Sequence, residues 1–511
     1  MYFNSFEFIF LFLPIALLVF IIINKSRFNH YNLYWLITVS LFFYGWWNIK
    51  YLLLILFSIF INFIFGKLIR KLYSKIILVI SISANLLILG YYKYFNFFLD
   101  SLNSFSDYNF AIESIILPLG ISFFTFQQIT FLVDSYLGKV KEDKFSNYFL
   151  FVIFFPQLIA GPIVHHSEMM PQFKNNFKKN INLDNLTAGI ITFIIGLFKK
   201  IVIADNIAKY SDPIFFAAES GIALTFFDAW VGTLSFMLQL YFDFSGYTDM
   251  ALGIGLMFGI KLPNNFLSPF KATNISEFWR CWHITLTRMI RNYIYTPLAL
   301  KLTRMSIEKN LGEKITFFMG VIFPTLFAFF WVGVWHGAGW NFIYFGLLNG
   351  FYLIIYYLVQ QSNISLIRLE NFNIELIRFL KMSFNFILVS VSFIFFRAKD
   401  LASTKEIFKG ITGLNGINLG DAFKIGEFAT EPIFGLFFII SLILFVFYLP
   451  NTKSIIEKQI INIDLKTFMT RQKNYQFKLY GSFKWGIIFG LMLMISISLI
   501  SNTNEFLYFE F

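Results

Sequence analysis

The sequence predicts an all-α, polytopic membrane protein, and three observations carry that expectation. Hydrophobic residues make up 57% of the 511-residue chain and charged residues only 14%, against about a quarter in a soluble globular domain. Apolar runs of about 18 residues or more, each long enough to cross roughly 30 Å of hydrocarbon as a helix, recur along the whole length. The loops between them gather Lys and Arg on some sides and acids on others, as the positive-inside rule requires. A bilayer leaves backbone groups no partner except within a helix or a closed barrel, so apolar runs of this length read as helices.

In chain order, apolar spans fall near 6–24, 31–47, 49–66, 75–92, 114–133, 147–163, 186–204, 222–242, 315–334, 338–359, 376–396, 431–449 and 484–501. Some read as short, tilted or re-entrant, so the expectation is about 11 to 13 membrane helices in a single domain over 1–511. The first run, Phe8 to Ile23, has Glu7 before it and Lys25 and Arg27 after it. A cleavable signal peptide carries its positive charge ahead of the apolar run, so this one reads as a retained helix with an outside N-terminus. Basic loops (Lys67 to Lys75; Lys139, Lys141 and Lys144; Lys453 to Lys484, with Lys466, Arg471, Lys473 and Lys478) read as cytoplasmic. Segment 94–113, with Asp100, Asp107 and Glu113, reads as external, as does the C-terminus with Glu505 and Glu510. Segment 244–262 is less regular, holding Asp249 and several glycines. Residues 263–310 are too polar for a span and too aromatic for an ordinary loop, and read as a re-entrant, cavity-lining segment open to the cytoplasm.

Composition also excludes classes of function. The excess of 41 Lys and Arg over 29 Asp and Glu, +12, is the basic bias of cytoplasmic loops and does not point to nucleic acid. One cysteine, Cys281, rules out an internal disulfide and a Cys-based metal cage. Gly253 and Gly255 lack the third glycine of a phosphate-cradling loop, and no Gly-x-Ser-x-Gly elbow is present. The remaining chemistry rests on five histidines: His30, His165, His166, His283 and His336. His336 lies in Trp335-His336-Gly337-Ala338-Gly339-Trp340 between apolar spans, where an ionisable group defaults to function. Imidazole is a natural general base for a hydroxyl. His283 lies in Trp279-Arg280-Cys281-Trp282-His283 and is the candidate partner. His165 and His166 are adjacent, which separates their side chains on a regular element, so no metal site is expected. Asp243 and Asp249 are six residues apart and fall on different helix faces. Asp243 is open to pairing with an arginine of the re-entrant segment or to orienting a histidine.

Several blocks together resemble one family. FWRCWHITLTRMIRNYIYTP at 278–297 is similar to a signature of bacterial membrane-bound O-acyltransferases, and WHGAGW at 335–340 to their catalytic-histidine motif. LPLGISFFTFQ at 117–127, FFPQLIAGPI at 154–163, YFDFSGYTDMALG at 241–253 and FFRA at 395–398 follow the family's order. The resemblance covers roughly residues 1–410, with a core near 100–410 and C-terminal helices at 431–449 and 484–501. Within the family it is nearest the alginate O-acetylation and peptidoglycan O-acetyltransferase group. Cys281 stands where arginine is usual, Asn292 for Asp, Ala299 and Leu300 for two glycines, and Asn349 where histidine is often found.

The resemblance implies a ring of helices with a thin centre and a tunnel joining cytoplasmic donor to external acceptor. It implies His336 as catalytic residue with His283 as its partner. Arg280, Arg288 and Arg291, with Lys301 and Arg304, would draw the phosphates of the donor acetyl-CoA. Trp279, Trp282, Trp335, Asp243 and Asn264 would line the substrate path. No cofactor is expected to be bound. The expected partners are membrane lipids, an envelope polysaccharide and a periplasmic SGNH-type acetyltransferase, at a bacterial inner membrane. D-Alanyl transfer to teichoic acid and a transporter or flippase with a histidine proton relay are the rival readings. Transport is disfavoured by the lack of an internal repeat.

Overall fold

The computed structural model describes residues 1–105, 115–140, 144–174, 183–362, 373–417, 425, 431–460, 483–500 and 506–507. The expectations placed on Asp107, Glu113, Lys141, Lys466, Arg471, Lys473, Lys478, Glu505 and Glu510 lie outside these residues. Every regular element described is helical. The main ones are α1 (Leu13–Lys25), α2 (Asn32–Gly45), α3 (Ile49–Leu72), α4 (Lys75–Leu89), α5 (Ile121–Tyr136), α6 (Phe145–Ile153), α7 (His166–Lys174), α8 (Leu183–Phe198), α9 (Asp205–Glu219) and α10 (Phe226–Met257). They continue as α11 (Ile275–Cys281), α12 (Ile284–Ile290), α13 (Thr296–Glu308), α14 (Phe323–His336), α15 (Trp340–Gln361), α16 (Ile374–Arg397), α17 (Leu401–Ile411), α18 (Pro432–Tyr448) and α19 (Phe483–Ser498).

Seven helices among the described residues are long and apolar enough to cross a membrane: Phe8–Lys25, Ile49–Leu72, Lys75–Asn103, Leu183–Glu219, Glu313–His336, Trp340–Gln361 and Ile374–Arg397. α18 and α19 are shorter apolar helices. The chain is a multi-pass membrane protein. Two expected spans come out differently. The run at 147–163 breaks at Phe154, whose backbone leaves the helical region, and Pro156 sits in the first turn of the short helix that follows; a proline has no N–H to continue the preceding helix but is tolerated in a first turn. The runs at 222–242 and 244–262 join into α10, a single helix of 32 residues.

The chain forms two compact units. The first comprises Met1–Val202, Ser245–Asn264 and Thr452–Glu510, and the second Ile203–Phe244 and Asn265–Asn451. In the first unit a phenylalanine-rich core gathers Phe3, Phe8, Phe43, Phe155 and Phe258. Polar glue joins its helices. Asn62 of α3 and Asn85 of α4 exchange amide hydrogen bonds of 3.1 and 2.7 Å, and Gln128 of α5 donates to Ser58 at 2.9 Å. Such pairs stabilise helix association where the lipid supplies no hydrophobic drive. Gly189 and Gly196 of α8 meet Gly253 and Gly246 of α10 so closely that a Cβ at any of them would strike the facing backbone. Gly253 is therefore a packing residue. Asp249 accepts from Lys199 Nζ and from Thr452 Oγ1, both at 2.6 Å, so this buried charge is paired.

In the second unit, α14 and α15 pack back to back through Gly333 and Gly346. A Cβ on Gly333 would meet the carbonyl oxygen of Phe342, and one on Gly346 that of Phe329. Neither obstacle is a side chain that can rotate away. Gly333→Val should therefore force α14 off α15 at a cost of about 1–3 kcal/mol or more. The expected result is a large loss of monodisperse protein in detergent gel filtration and a lower melting temperature, whereas Gly339→Val, at a roomier position, should be tolerated.

Candidate active site

The re-entrant segment positions the first histidine. Asn274 caps α11, its side chain accepting from the Glu277 amide at 2.9 Å. α11 ends after seven residues, Trp282 is extended, and His283 takes a left-handed conformation with φ 41° and ψ 52° before α12 begins. A non-glycine residue held there costs of order 1–3 kcal/mol, and two backbone bonds hold the corner. The Leu267 amide donates to the Cys281 carbonyl, and the Ile284 amide to the Asn265 carbonyl, both at 3.0 Å.

Asn265 also fixes the His283 ring. Its Oδ1 accepts from the Thr285 amide at 3.3 Å and the Thr285 hydroxyl at 2.9 Å, and it lies 3.1 Å from His283 Nδ1. A backbone N–H only donates, so the asparagine atom is its oxygen, and His283 Nδ1 must carry the proton. The basic lone pair is thereby placed on Nε2. Burial holds the imidazole neutral, its pKa pushed down to about 3. The sign follows: below pH about 6.5 the unfolded chain takes up a proton that the folded chain refuses, so stability falls as pH drops from there toward 3. The melting temperature should fall between pH 6.5 and 5, and fall less in His283→Gln, which a comparison of melts at both pH values checks.

The second histidine comes from elsewhere in the same unit. His336 is the last residue of α14, where Gly337 turns the chain into extended backbone ahead of α15. Its ring centroid lies 6.3 Å from that of His283 at 57°. Trp335 packs against both, 5.8 Å from His283 and 5.0 Å from His336. Phe345 of α15 and Phe396 of α16 meet His336 edge-on at 5.8 and 5.1 Å. Phe244 meets His283 edge-on at 4.9 Å. Relative exposure is 1% for His283 and 7% for His336, so both rings are buried. A buried, aromatic-walled imidazole pair suits proton transfer with water excluded.

The other candidates are placed as follows. Trp282 is buried in aromatic packing, stacked on Phe278 at 5.5 Å and 18° and facing Phe393 at 5.4 Å; it braces the corner. Trp279 packs on Phe329 at 5.1 Å, and its buried indole N–H has no hydrogen-bond partner among the described residues. Asp243 is buried in α10. Asn264 is half-buried and belongs to the first unit, while its neighbour Asn265 holds His283. Arg280 is exposed and donates to the Ser276 carbonyl and hydroxyl, each at 3.2 Å. Arg291, Lys301 and Arg304 are exposed and Arg288 half-buried. Cys281 stays a thiol, burial pushing its pKa up to about 11.

Asn265, Phe345 and Asn341 escaped sequence reasoning as site residues, and Phe396 entered it only within the FFRA block. Asn341 donates to the Ala398 carbonyl at 2.7 Å, tying the start of α15 to the FFRA turn, and no motif spacing signals that contact.

The membrane-bound O-acyltransferase family matches residues 135–395, which hold both histidines. The chain is 42% identical over 448 residues to a peptidoglycan O-acetyltransferase of Helicobacter pylori, covering 82% of this chain and 81% of that one. It is 35% identical over 434 residues to a protein of Azotobacter vinelandii named probable alginate O-acetylase, covering 83% and 80%. A teichoic acid D-alanyltransferase of Bacillus subtilis is 29% identical over 258 residues, covering 49% of this chain and 62% of that one. The chain belongs to the membrane-bound O-acyltransferase family and is an O-acyltransferase.

Proposed function

We propose that this chain moves an acetyl group from cytoplasmic acetyl-CoA across a bacterial inner membrane for O-acetylation of an envelope polysaccharide. Peptidoglycan is the first reading and an alginate-like exopolysaccharide the second. The observation that carries the chemistry is the buried His283–His336 pair, with centroids 6.3 Å apart in an aromatic surround. The likeness to the two O-acetyl-transferring relatives, each over about four-fifths of both chains, supports acetyl over D-alanyl, where the likeness covers half of this chain.

In this reading His336 takes the proton of the attacking hydroxyl. The hydroxyl oxygen bonds to the thioester carbonyl carbon, the C–S bond breaks, and His336 returns the proton to the departing thiolate. His283 supports the pair with its Nε2 lone pair directed by Asn265. The Trp279 N–H is suited to donate to an acyl oxygen. The acetyl group passes to a periplasmic SGNH-type enzyme, and both termini face the periplasm.

Membrane vesicles test the proposal. Labelled acetyl-CoA offered to vesicles with the cytoplasmic face outward should pass label to an acceptor, and right-side-out vesicles should not. Transfer only from a D-alanyl carrier-protein thioester, or equal transfer in both orientations, would overturn it.

The basic rim supplies a second check. Neutralising Arg288 and Arg291 together should raise KM for acetyl-CoA several-fold at low salt and less at 0.1 M and above, where exposed charges are screened over about 10 Å. The maximal rate should change little. An unaltered KM at both salts would assign these arginines to lipid headgroups.

A further inference from the structure

Adjacent histidines diverge on a regular helix or strand, yet the first unit brings His165 and His166 together. His165 lies in irregular backbone and His166 begins α7. The change of backbone between them turns both rings toward Asp134, in the last turn of α5. His165 Nε2 lies 2.7 Å and His166 Nε2 3.0 Å from the same carboxylate oxygen, Oδ2. One donor atom from each of the three residues falls within 4.8 Å of the others. The side chains of Asp134 and His166 are 1% and 5% exposed and that of His165 25%, so the cluster is sunk into the protein with one flank open.

We propose that Asp134, His165 and His166 form a binding site for a divalent transition ion of the zinc type. Two imidazole nitrogens and one carboxylate oxygen are the donor set such an ion prefers. Bonds of about 2.0–2.1 Å in a tetrahedron set donors about 3.3 Å apart. The two histidine–carboxylate separations therefore need to open by only about 0.3–0.6 Å. The fourth position falls on the exposed flank.

Two neighbours bear on the choice between an ion and a purely hydrogen-bonded cluster. Ser167 Oγ lies 2.6 Å and the Ser167 amide 3.3 Å from His165 Nδ1. With Nε2 on an ion, Nδ1 carries the proton and Ser167 Oγ accepts it, the outer-partner arrangement that orients metal-binding histidines. Without an ion, both Nε2–H groups donate to Asp134 and the Ser167 amide donates to Nδ1. Lys139 Nζ is 3.6 Å from Asp134 Oδ1, on a side chain 63% exposed, and its flexible stem lets it withdraw when a cation arrives. A bound ion ties the irregular stretch 159–165 to the end of α5.

The test uses the full chain with Cys281→Ser, purified on a histidine-free tag and stripped with chelator, then titrated with Co2+ alone. One Co2+ per chain should bind with ligand-field absorption, Zn2+ should displace it, and either ion should raise the melting temperature. His165→Gln, the least buried of the three, should lower affinity at least tenfold without loss of fold. Asp134→Asn and His166→Gln should abolish the absorption, while His283→Ala and His336→Ala should retain it. Co2+ and Zn2+ uptake no greater than in a folded Asp134→Asn/His165→Gln variant, with no change in melting, would overturn the proposal and leave a hydrogen-bonded cluster.

Discussion

His336→Ala should lower acyl transfer by roughly two to four orders of magnitude, the usual cost of removing a general base. The fold should survive it. His336 is the last residue of α14, so its side chain takes no part in the contact of Gly333 with α15. Its ring is met edge-on by Phe345, Phe396 and Trp335. Truncation leaves a small cavity costing about 1–3 kcal/mol at most, spread over a large helical protein. The variant should therefore elute from detergent gel filtration like the parent and melt a few degrees lower at most. His336→Gln separates the two contributions further, because it restores volume and polarity but cannot take a proton near neutral pH; it should melt like the parent and remain as inactive as the alanine variant. Transfer at the parental rate by either variant, at matched amounts of folded protein, would remove His336 from the chemistry.

Much of this was legible in the sequence because membranes impose few solutions. Apolar length fixed helices such as Ile49–Leu72 and Ile374–Arg397, and the two histidines stood out because ionisable groups at such places are costly. What escaped has physical reasons. Phe154-Phe155-Pro156 breaks a run that is mostly apolar, and hydropathy carries no backbone term. The grip of Asn265 on His283 depends on a left-handed residue 18 positions later, which only the folded corner creates. The convergence of His165 and His166 breaks a rule that holds for regular elements, because the backbone changes between them. The glycines of α8 and α10 were visible, but their partners are set by helix–helix register, which composition does not encode.

His283→Ala should cost about a hundredfold in maximal rate, less than His336→Ala, because an orienting or proton-stabilising role is partly replaceable. Asn265→Ala should follow it in kind at about tenfold, the worth of one buried hydrogen bond that selects the His283 tautomer. The link between them is the shared oxygen: Asn265 Oδ1 meets His283 Nδ1 at 3.1 Å and Thr285 Oγ1 at 2.9 Å. If Asn265 works only through His283, the double variant should be no slower than His283→Ala alone, and the coupling should equal the whole of the asparagine's effect. A merely structural asparagine gives another pattern. It would lower the yield and melting temperature, through the unpaired Thr285 groups, and leave the rate per folded molecule unchanged. Asn265→Asp adds an independent reading. A carboxylate accepts from the same Nδ1–H and raises the His283 pKa from its buried value of about 3, so rate should return in part and acquire a dependence on pH that the parent lacks. KM for the acyl donor should stay within about twofold in all of these variants, since neither side chain is asked to bind the donor. A double variant slower by the product of the two single effects would give Asn265 a role of its own toward substrate.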